Sequence, residues 1–240
     1  MQAEVKKNTP SSLRAVGKGA VYKKYIKRPM DFFLALCSII VLSPVLLIVA
    51  LLVRVKLGSP VIFRQKRPGL NEKIFTMFKF RTMTDERDSN GELLPDDVRL
   101  IKFGKLLRST SLDELPELFN ILRGDMSVVG PRPQLAKDLV FMSPEQRLRQ
   151  TVMPGLSGWA QVNGRNEVTW ETKLALDLEY IRNITFTGDC KIILLTLAKV
   201  FKREGISAEG MDTSEDLGDY LLRNQKITEE EYRANMAKIN

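Results

Sequence analysis

The sequence predicts an α+β fold, in which a membrane-embedded helix precedes a small, mostly helical domain with short strands. Two observations lead to this prediction. Residues 32–53 contain no charged side chain, and Ser43-Pro44 interrupts them near the middle. The apolar runs that follow are short and bounded by glycine and proline, and helical periodicity comes later. We divide the chain into a basic segment (1–28), a membrane helix (29–56), a main domain (57–209) and a charged helical tail (210–240).

Positive charge is concentrated in the basic N-terminal segment. Residues 1–28 carry eight Lys or Arg side chains and one Glu, which is seven of the chain's eight net positive charges. A basic block directly before an apolar segment is typical of a juxtamembrane anchor on the anionic, cytoplasmic leaflet. A nucleic-acid-binding arm is the alternative, but such a protein would spread its charge over the fold. We therefore expect membrane lipids, and no nucleic acid, as partners.

The apolar segment predicts a helix that is broken near its middle. Its 22 residues would extend roughly 33 Å as a helix, enough to cross a bilayer core. Pro44 disfavours a straight helix, and the Ser43 hydroxyl can satisfy part of the backbone that Pro44 leaves unpaired. Cationic residues flank both ends, which favours both ends on the cytoplasmic side. A re-entrant helix–break–helix and a single kinked crossing helix fit these features equally well.

The elements after the membrane helix are short. Residues 57–83 predict one or two strands, or an amphipathic edge on the membrane, and residues 84–99 predict a solvated acidic loop. Proline and glycine make residues 130–166 irregular. Helices are predicted in pieces over 102–123, over 170–180, over 192–200, and in the tail after a capping box at 228–231. The tail is expected to be a solvated terminal helix, with a partner contact as the alternative.

Composition restricts the chemistry that the chain can perform. It contains no histidine, which excludes an imidazole base and a Cys/His metal cluster. Cys37 and Cys190 are too few for a disulfide framework, which indicates a reducing compartment. Neither a P-loop nor a dinucleotide-binding glycine motif is present. Carboxylates, lysines, hydroxyls or thiols must therefore supply any acid, base or nucleophile.

The densest candidate site is the acidic pair Asp113-Glu114. Thr110 or Ser111 can cap a helix here, with one of the two acids at its third position. Capping explains one carboxylate but neither the pair nor the neighbouring Arg108. A helix N-terminus attracts phosphate and keeps a nearby carboxylate ionised. Such a carboxylate can attack phosphorus, and its neighbour can hold Mg²⁺.

A second candidate is a set of scattered cations in proline- and glycine-rich settings. Arginine on a stiff loop is an effective bidentate clamp for phosphate. Together with the acidic pair, these cations indicate a polyanionic substrate. They are Arg67, Lys79, Arg81, Arg132 and Arg165.

These stretches resemble the bacterial sugar transferases, the monotopic polyprenyl-phosphate phosphoglycosyl transferases. The resemblance covers about residues 23 to 207 and rests on several motifs in order. They are Lys27-Arg-Pro-Met-Asp31, Ser43-Pro44, Arg67-Pro-Gly69, Lys79-Phe-Arg-Thr-Met83, Ser111-Leu-Asp-Glu-Leu-Pro116, Gly124-Asp-Met-Ser-Val-Val-Gly-Pro-Arg-Pro133, Pro154-Gly-Leu-Ser-Gly-Trp-Ala-Gln-Val-Asn-Gly-Arg-Asn166 and residues 177–189. The first twenty residues and the tail after about 210 depart from the family pattern.

The resemblance implies a re-entrant membrane helix and covalent catalysis by the main domain. Asp113 would attack a UDP-sugar, form a phosphosugar intermediate and release UMP, and polyprenyl phosphate would then accept the sugar phosphate. Glu114, with Asp113, would bind Mg²⁺, and Asp189 would assist the site. Within the family, transferases of N,N′-diacetylbacillosamine phosphate look most similar. The implied location is the cytoplasmic face of a bacterial inner membrane. The phosphate region would be lined by Lys79, Arg108 and Arg132.

Other functions compete with this interpretation. A non-catalytic membrane scaffold of a glycan assembly complex would need the charged tail and would not need Asp113. A direct single-displacement transferase would use Asp113 as a base and would accumulate no labelled protein. The sequence leaves open which sugar and which polyprenol are used, and whether a second copy or a glycosyltransferase is a partner.

Overall fold

The computed structural model describes residues 19–164, 169–202 and 215–239, and its architecture confirms the predicted α+β class. The helices are α1 (Lys27–Lys56), α2 (Asp96–Arg99), α3 (Lys102–Ser109), α4 (Glu117–Arg123), α5 (Pro144–Arg147), α6 (Trp159–Gly164), α7 (Trp170–Arg182), α8 (Phe186–Lys202), α9 (Leu217–Arg223) and α10 (Glu229–Met236). The strands are β1 (Ile62–Pro68), β2 (Ile74–Phe80), β3 (Ser127–Val129) and β4 (Gly155–Ser157).

The apolar segment forms α1, which continues from a π-helical turn at Tyr22–Ile26. Pro44 lies inside this one helix, so the segment is continuous here, whereas the sequence left open a helix–break–helix and a single kinked helix. The Ser43 hydroxyl donates a 2.8 Å hydrogen bond to the Ile40 carbonyl. That carbonyl lies four residues before Pro44, which has no amide N–H to bond it. The predicted compensation by Ser43 is therefore confirmed.

Helix α1 is long and apolar enough to cross a membrane, by its length and composition. Many of its apolar side chains are exposed, among them Val41, Leu47 and Val55. A helix of this composition in a water-soluble protein would be buried on all sides. The exposed apolar surface therefore favours contact with lipid.

Both halves of α1 also pack against the main domain. The first half places Ala35 in a buried cluster with Met77 of β2 and Ile121 of α4. The second half places Val53 beside Phe80, at the end of β2. Part of the core therefore lies between the membrane helix, the β1–β2 hairpin and α4, and another part lies around α7 and α8.

Polar groups fasten the start of α1 to the same domain. Arg28 donates hydrogen bonds of 2.6 Å and 3.0 Å to the carbonyls of Ile121 and Leu122. These carbonyls end α4, where a cation complements the helix dipole. The buried Asp31 carboxylate accepts a 2.7 Å hydrogen bond from the Ser127 hydroxyl. Helix α1 is thus joined to the domain by charged as well as apolar contacts.

The apolar runs after α1 form an antiparallel hairpin, which confirms the prediction of short strands there. Ile62 pairs with Phe80 at one end and Pro68 pairs with Ile74 at the other. This register places Lys79 opposite Phe63, one residue before β2 ends. Lys79 therefore projects beside α4 from a strand that α1 and α4 hold in place.

A second small sheet lies in the region that the sequence predicts to be irregular. Strands β3 and β4 pair in parallel, with Ser127 opposite Gly155. The two backbones approach closely, because a Cβ at Gly155 would lie 2.0 Å from the Gly130 amide nitrogen. Strands of three residues carry too little alternation to be recognised in a sequence, and only glycine at position 155 permits this approach.

The remaining predicted helices are present with small changes in their bounds. Residues 102–123 form α3, a 3₁₀ turn at Leu112–Glu114 and α4, and the last two predicted helices of the domain correspond to α7 and α8. The capping box that opens α10 is confirmed, since Thr228 and Glu231 bond each other's backbone amides. Helix α9 is packed and not solvated, because Leu217 lies in a buried cluster with Trp170.

Candidate active site

Opposite charges cluster around Glu114. Lys79 of β2 donates a 2.8 Å hydrogen bond to Glu114 Oε1, and its Nζ lies 3.2 Å from Glu117 Oε1. Arg132 approaches from the Gly-Pro-Arg-Pro loop, donating to Oε1 through Nη2 and to Oε2 through Nη1 at 3.4 Å. A guanidinium that contacts both oxygens of a carboxylate holds it in a fixed orientation. The fold therefore brings together three of the residues that the sequence indicated.

Asp113 is buried beside this cluster and carries a free carboxylate. It is 8% exposed, and within the described part of the chain no side chain hydrogen-bonds it. Ser111, two residues earlier, has a φ of 55°, in the left-handed region that residues other than glycine rarely adopt. Such strained backbone is characteristic of sites where geometry is fixed for function.

The sequence predicts a capping box at the acidic pair, and this prediction is wrong. The left-handed backbone of Ser111 turns the chain at the end of α3, and no side chain caps the 3₁₀ turn that follows. The Thr110 hydroxyl donates back to the Leu106 carbonyl at 2.8 Å. Helix α4 begins only after Pro116, so neither Asp113 nor Glu114 lies at the third position of a capped helix.

The two adjacent carboxyl groups have opposite electrostatic environments. Burial and the negative charge of Glu114 raise the pKa of Asp113 to about 6, although Lys79, Arg132 and Arg108 oppose the rise. Burial would also raise the pKa of Glu114, but Arg132 and Lys79 outweigh it and hold that pKa well below its usual range. Glu114 is thus a permanent anion, while Asp113 is mostly ionised at neutral pH. Side-chain cations, and not a helix N-terminus, keep these groups ionised.

Glu117 is a third carboxyl group in the cluster, for which the sequence predicts no role. It is fully buried; its Oε1 forms a 3.2 Å ion pair with Lys79 Nζ, and its Oε2 has no hydrogen-bond partner among the described residues. Burial raises its pKa to about 7, with Lys79 opposing and Glu114 adding to the rise. The sequence signal for Glu117 is its position three residues after Glu114, because residues three apart in a helical turn lie on the same face of the helix.

Asn120 positions the lysine of the cluster and was also missed. Its Oδ1 accepts a 3.0 Å hydrogen bond from the Phe78 amide, and its Nδ2 donates at 2.7 Å to the Thr76 carbonyl. A buried amide that bonds a strand edge in this way fixes the strand relative to the helix that carries it. Lys79, the next residue after Phe78, is thereby held beside Glu114.

A buried arginine, Arg149, and a half-buried one, Arg67, hold the loop that carries Arg132. Arg149 donates at 2.6 Å to the Arg132 carbonyl and forms two hydrogen bonds with Asp177 of α7, at 2.9 Å and 2.7 Å. Arg67 Nη1 donates at 3.3 Å to the Pro133 carbonyl. Burial and the nearby charge of Arg132 lower the pKa of Arg67 to about 10. Arg67 therefore lies close to the cluster, and its hydrogen bond to Pro133 supports the loop that carries Arg132.

The other predicted phosphate-binding residues differ in their placement. Arg108 lies near Asp113, whose pKa its charge lowers, and its Nε donates at 3.1 Å to the Thr82 hydroxyl. Arg81 instead donates to backbone carbonyls, at 2.7 Å to Ser59 and at 2.8 Å to Met83. The contacts of Arg81 are structural and give its predicted substrate role no support. Arg165 lies outside the described residues.

Asp189 belongs to a separate buried network. Its carboxylate accepts hydrogen bonds from the hydroxyls of Tyr22 at 2.7 Å and Tyr180 at 2.9 Å, and from Lys27 Nζ at 2.5 Å. None of these partners contacts the carboxylates around Lys79 in the described structure. The prediction that Asp189 assists the reaction therefore finds no support in its contacts, which anchor the start of the membrane helix to α7 and α8.

The sequence has clear relatives. Residues 22–203 match the family described as bacterial sugar transferase. The chain is 50% identical to the "Uncharacterized sugar transferase EpsL" of Bacillus subtilis over 190 residues, which cover 79% of this chain and 94% of that protein. It is 40% identical to the "UDP-glucose:undecaprenyl-phosphate glucose-1-phosphate transferase" of Escherichia coli over 188 residues, which cover 74% of this chain and 40% of that protein.

A further relative carries a different sugar in its name. The "Galactosyl transferase CpsE" of Streptococcus agalactiae is 37% identical over 193 residues, covering 75% of this chain and 43% of that protein. The chain therefore spans nearly all of EpsL but about two fifths of the glucose and galactosyl transferases.

Proposed function

The chain belongs to the bacterial sugar transferase family, and on that basis we propose that it moves a sugar-1-phosphate from a UDP-sugar to polyprenyl phosphate and releases UMP. The observation that carries the proposal is the buried Asp113 carboxylate, which lies beside three cations and has no hydrogen-bond partner among the described residues. The names of the glucose-1-phosphate transferases support the donor and acceptor classes. N,N′-diacetylbacillosamine as the sugar stays a prediction, since the named relatives specify glucose and galactosyl groups.

We propose a reaction in two displacements through an Asp113 phosphosugar. Asp113 Oδ attacks the phosphorus that carries the sugar, and the bond from this phosphorus to the bridging oxygen breaks, so that UMP leaves with that oxygen. A phosphate oxygen of polyprenyl phosphate then attacks the same phosphorus. The Oδ–P bond breaks, which gives a polyprenyl diphosphate sugar and restores the Asp113 carboxylate. The Asp113 carboxylate supports this role, because it need not break a hydrogen bond to any described residue before it attacks.

The surrounding cations would stabilise the charge that develops on the diphosphate. Lys79 and Arg132 already neutralise Glu114, and Arg108 lies near Asp113. Phosphoryl transfer depends mainly on positioning and on such electrostatic stabilisation. Cations held by Asn120 and Arg149 are preorganised, so the site loses little energy in arranging them when substrate binds.

The residues of the acidic pair fit Mg²⁺, the cofactor that the resemblance implies. Asp113 and Glu114 offer adjacent hard oxygen donors. The Asp113 carboxylate is unpaired among the described residues, whereas Glu114 would have to exchange a contact with Lys79 or Arg132 for the metal. Mg²⁺ commonly binds one or two carboxylates together with substrate phosphates. When bound, Mg²⁺ would neutralise part of the diphosphate charge.

We propose that α1 enters and leaves the membrane on the cytoplasmic side. Its two halves pack against the same domain, through Ala35 and Val53, while Ser43 and Pro44 between them are exposed. A helix that crossed the bilayer could keep only one end beside a water-exposed domain. Exposed apolar residues of α8, including Leu194 and Leu197, add a further surface suited to lipid.

Labelling of single cysteines tests this topology. In a chain with Cys37→Ala and Cys190→Ala, we expect Lys24→Cys and Lys56→Cys each to react with a membrane-impermeant maleimide only after spheroplasts are permeabilised. Both positions are exposed and flank the apolar segment. Reaction of one of them in intact spheroplasts would establish a single crossing instead.

The reaction itself is tested by intact-protein mass spectrometry. Detergent-solubilised protein is incubated with Mg²⁺ and one of several UDP-sugars, without polyprenyl phosphate. We expect a sugar-phosphate adduct that disappears, with formation of lipid product, when undecaprenyl phosphate is added. UMP release only after lipid addition, without any adduct, would indicate single displacement. Absence of both adduct and UMP with every donor would favour the scaffold.

We expect adduct formation to depend on pH through Asp113. Its carboxyl group must be ionised to attack, and its pKa is raised to about 6. The second-order rate constant should therefore be level near pH 8 and fall about tenfold per unit below about pH 6. Glu117 has a pKa of about 7 and could also produce a fall in rate on the acidic side. Glu117→Gln is therefore the control, and its rate should still fall below about pH 6. A rate that stays level down to about pH 5 would contradict the assignment.

A further inference from the structure

The C-terminal segment 215–239 packs on the main domain, although the family match ends at residue 203. Leu217 of α9 is 3% exposed and lies in a cluster with Trp170 and Leu174 of α7. Tyr232 of α10 stacks on Phe141, with ring centroids 5.5 Å apart. Both tail helices thus contact the domain, which a merely solvated terminal helix would not do.

The tail contacts the 3₁₀ segment Ala136–Phe141 closely. Gly218 lies against Phe141, and a Cβ there would be 2.6 Å from a carbon of its ring. Asp216 forms an ion pair with Lys137. These contacts are concentrated on the segment that directly follows the Gly-Pro-Arg-Pro loop of the site.

Asp138 links the tail to that loop through one carboxylate. Its Oδ1 accepts a 3.0 Å hydrogen bond from the Leu217 amide, and its Oδ2 accepts a 2.8 Å hydrogen bond from the Leu135 amide. Asp138 is 1% exposed. A buried carboxylate is stable only while donors satisfy its oxygens, so loss of the tail amide would leave one oxygen unpaired. The Leu135 turn therefore depends on the tail.

Leu135 is three residues from Arg132, whose guanidinium contacts Glu114. Arg149 and Arg67 hold the loop at the carbonyls of Arg132 and Pro133. The tail secures the other end of this loop, at Leu135. The path from Leu217 to the phosphate-binding cluster thus consists of contiguous hydrogen bonds and a short, proline-stiffened stretch of chain.

We propose that segment 215–239 is a clamp that positions the Arg132 loop for the diphosphate of the donor, with Leu217 and Asp138 as positioning residues. The proposal rests on the proposed function for the identity of the ligand. It predicts that displacement of the tail weakens nucleotide-diphosphate binding more than it slows the chemical step.

The test uses Leu217→Asp in the full chain, which places a charge in the apolar cluster and beside Asp138. Hydrogen exchange at residues 134–142 should accelerate at least about tenfold, and UDP should bind about tenfold more weakly by calorimetry. With a UDP-sugar, KM should rise similarly while kcat per active site changes less than about twofold. Leu217→Ala removes packing without adding charge. It should shift the exchange rate, the UDP affinity and KM in the same directions.

Ala234→Asp is the matched control, because it adds the same charge at an exposed position of α10. It should leave exchange and UDP binding as in the unmodified chain. Unchanged exchange at residues 134–142 in both Leu217 variants would overturn the clamp, as would faster exchange with unchanged UDP affinity. Hydrogen exchange and UDP binding need no turnover, so together they decide the proposal even where no UDP-sugar supports the reaction.

Discussion

We expect Asp113→Asn to abolish the sugar-phosphate adduct and to lower turnover by roughly 10³-fold or more. Asparagine has the same shape as aspartate but no anionic oxygen with which to attack phosphorus. The measurement is intact-protein mass spectrometry without acceptor, together with UMP release in its presence. Stability should not fall, because Asp113 is buried without a hydrogen-bond partner among the described residues, and burial disfavours its charge.

Asp97→Asn is the matched control for this substitution. Asp97 is exposed on α2, and its replacement removes one negative charge without touching the acidic pair. This variant should form the adduct at the normal rate. Full turnover by Asp113→Asn, with intact membrane insertion, would refute Asp113 as the nucleophile; full loss of turnover with an adduct still present would assign it to the second step.

Arg132→Ala should reduce kcat/KM by roughly 10²- to 10³-fold. The substitution removes a cation from the diphosphate region and leaves Lys79 as the remaining ion-pair partner shown for Glu114. It should also move the pH midpoint of adduct formation above about 6, because the charge of Arg132 lowers the pKa of Asp113. Arg132→Lys should restore only part of the activity, since an ammonium cannot contact two oxygens in the guanidinium geometry.

Arg123→Ala controls for loss of a positive charge near the same helix. The Arg123 side chain is 62% exposed and pairs with Asp125 at the end of α4. Its removal should change kcat/KM by less than about twofold, because exposed ion pairs contribute little. If Arg132→Ala behaved like this control, the Glu114–Arg132 pair would be structural and the diphosphate would bind elsewhere.

The membrane segment shows which features can be predicted from residues that are adjacent in the chain. The absence of charge in residues 32–53 and the Ser43-Pro44 pair predict an apolar helix with a compensated proline, and both features are present. The same residues leave its topology open. Packing through Ala35 and Val53 supplies the argument for a re-entrant path, and those contacts depend on strands and helices far along the chain.

The candidate site shows the same division. The Asp113-Glu114 pair and the arginines in stiff loops are visible as residue types, so their chemistry can be predicted. The role of Asn120 and the structural contacts of Arg81 and Asp189 cannot, because hydrogen-bond partners are chosen by three-dimensional proximity. The capping prediction failed because the backbone at Ser111 turns before a helix can start.

The sequence by itself determined the fold class, the apolar membrane segment, the exclusion of histidine chemistry and the acidic pair, because each follows from composition or from residues adjacent in the chain. Only the tertiary structure decided which cations meet that pair, why Asp113 and Glu114 differ in pKa, and how the tail reaches the Arg132 loop. Burial and charge–charge distances set these properties, and they arise when β2, α4 and the loop after β3 pack together.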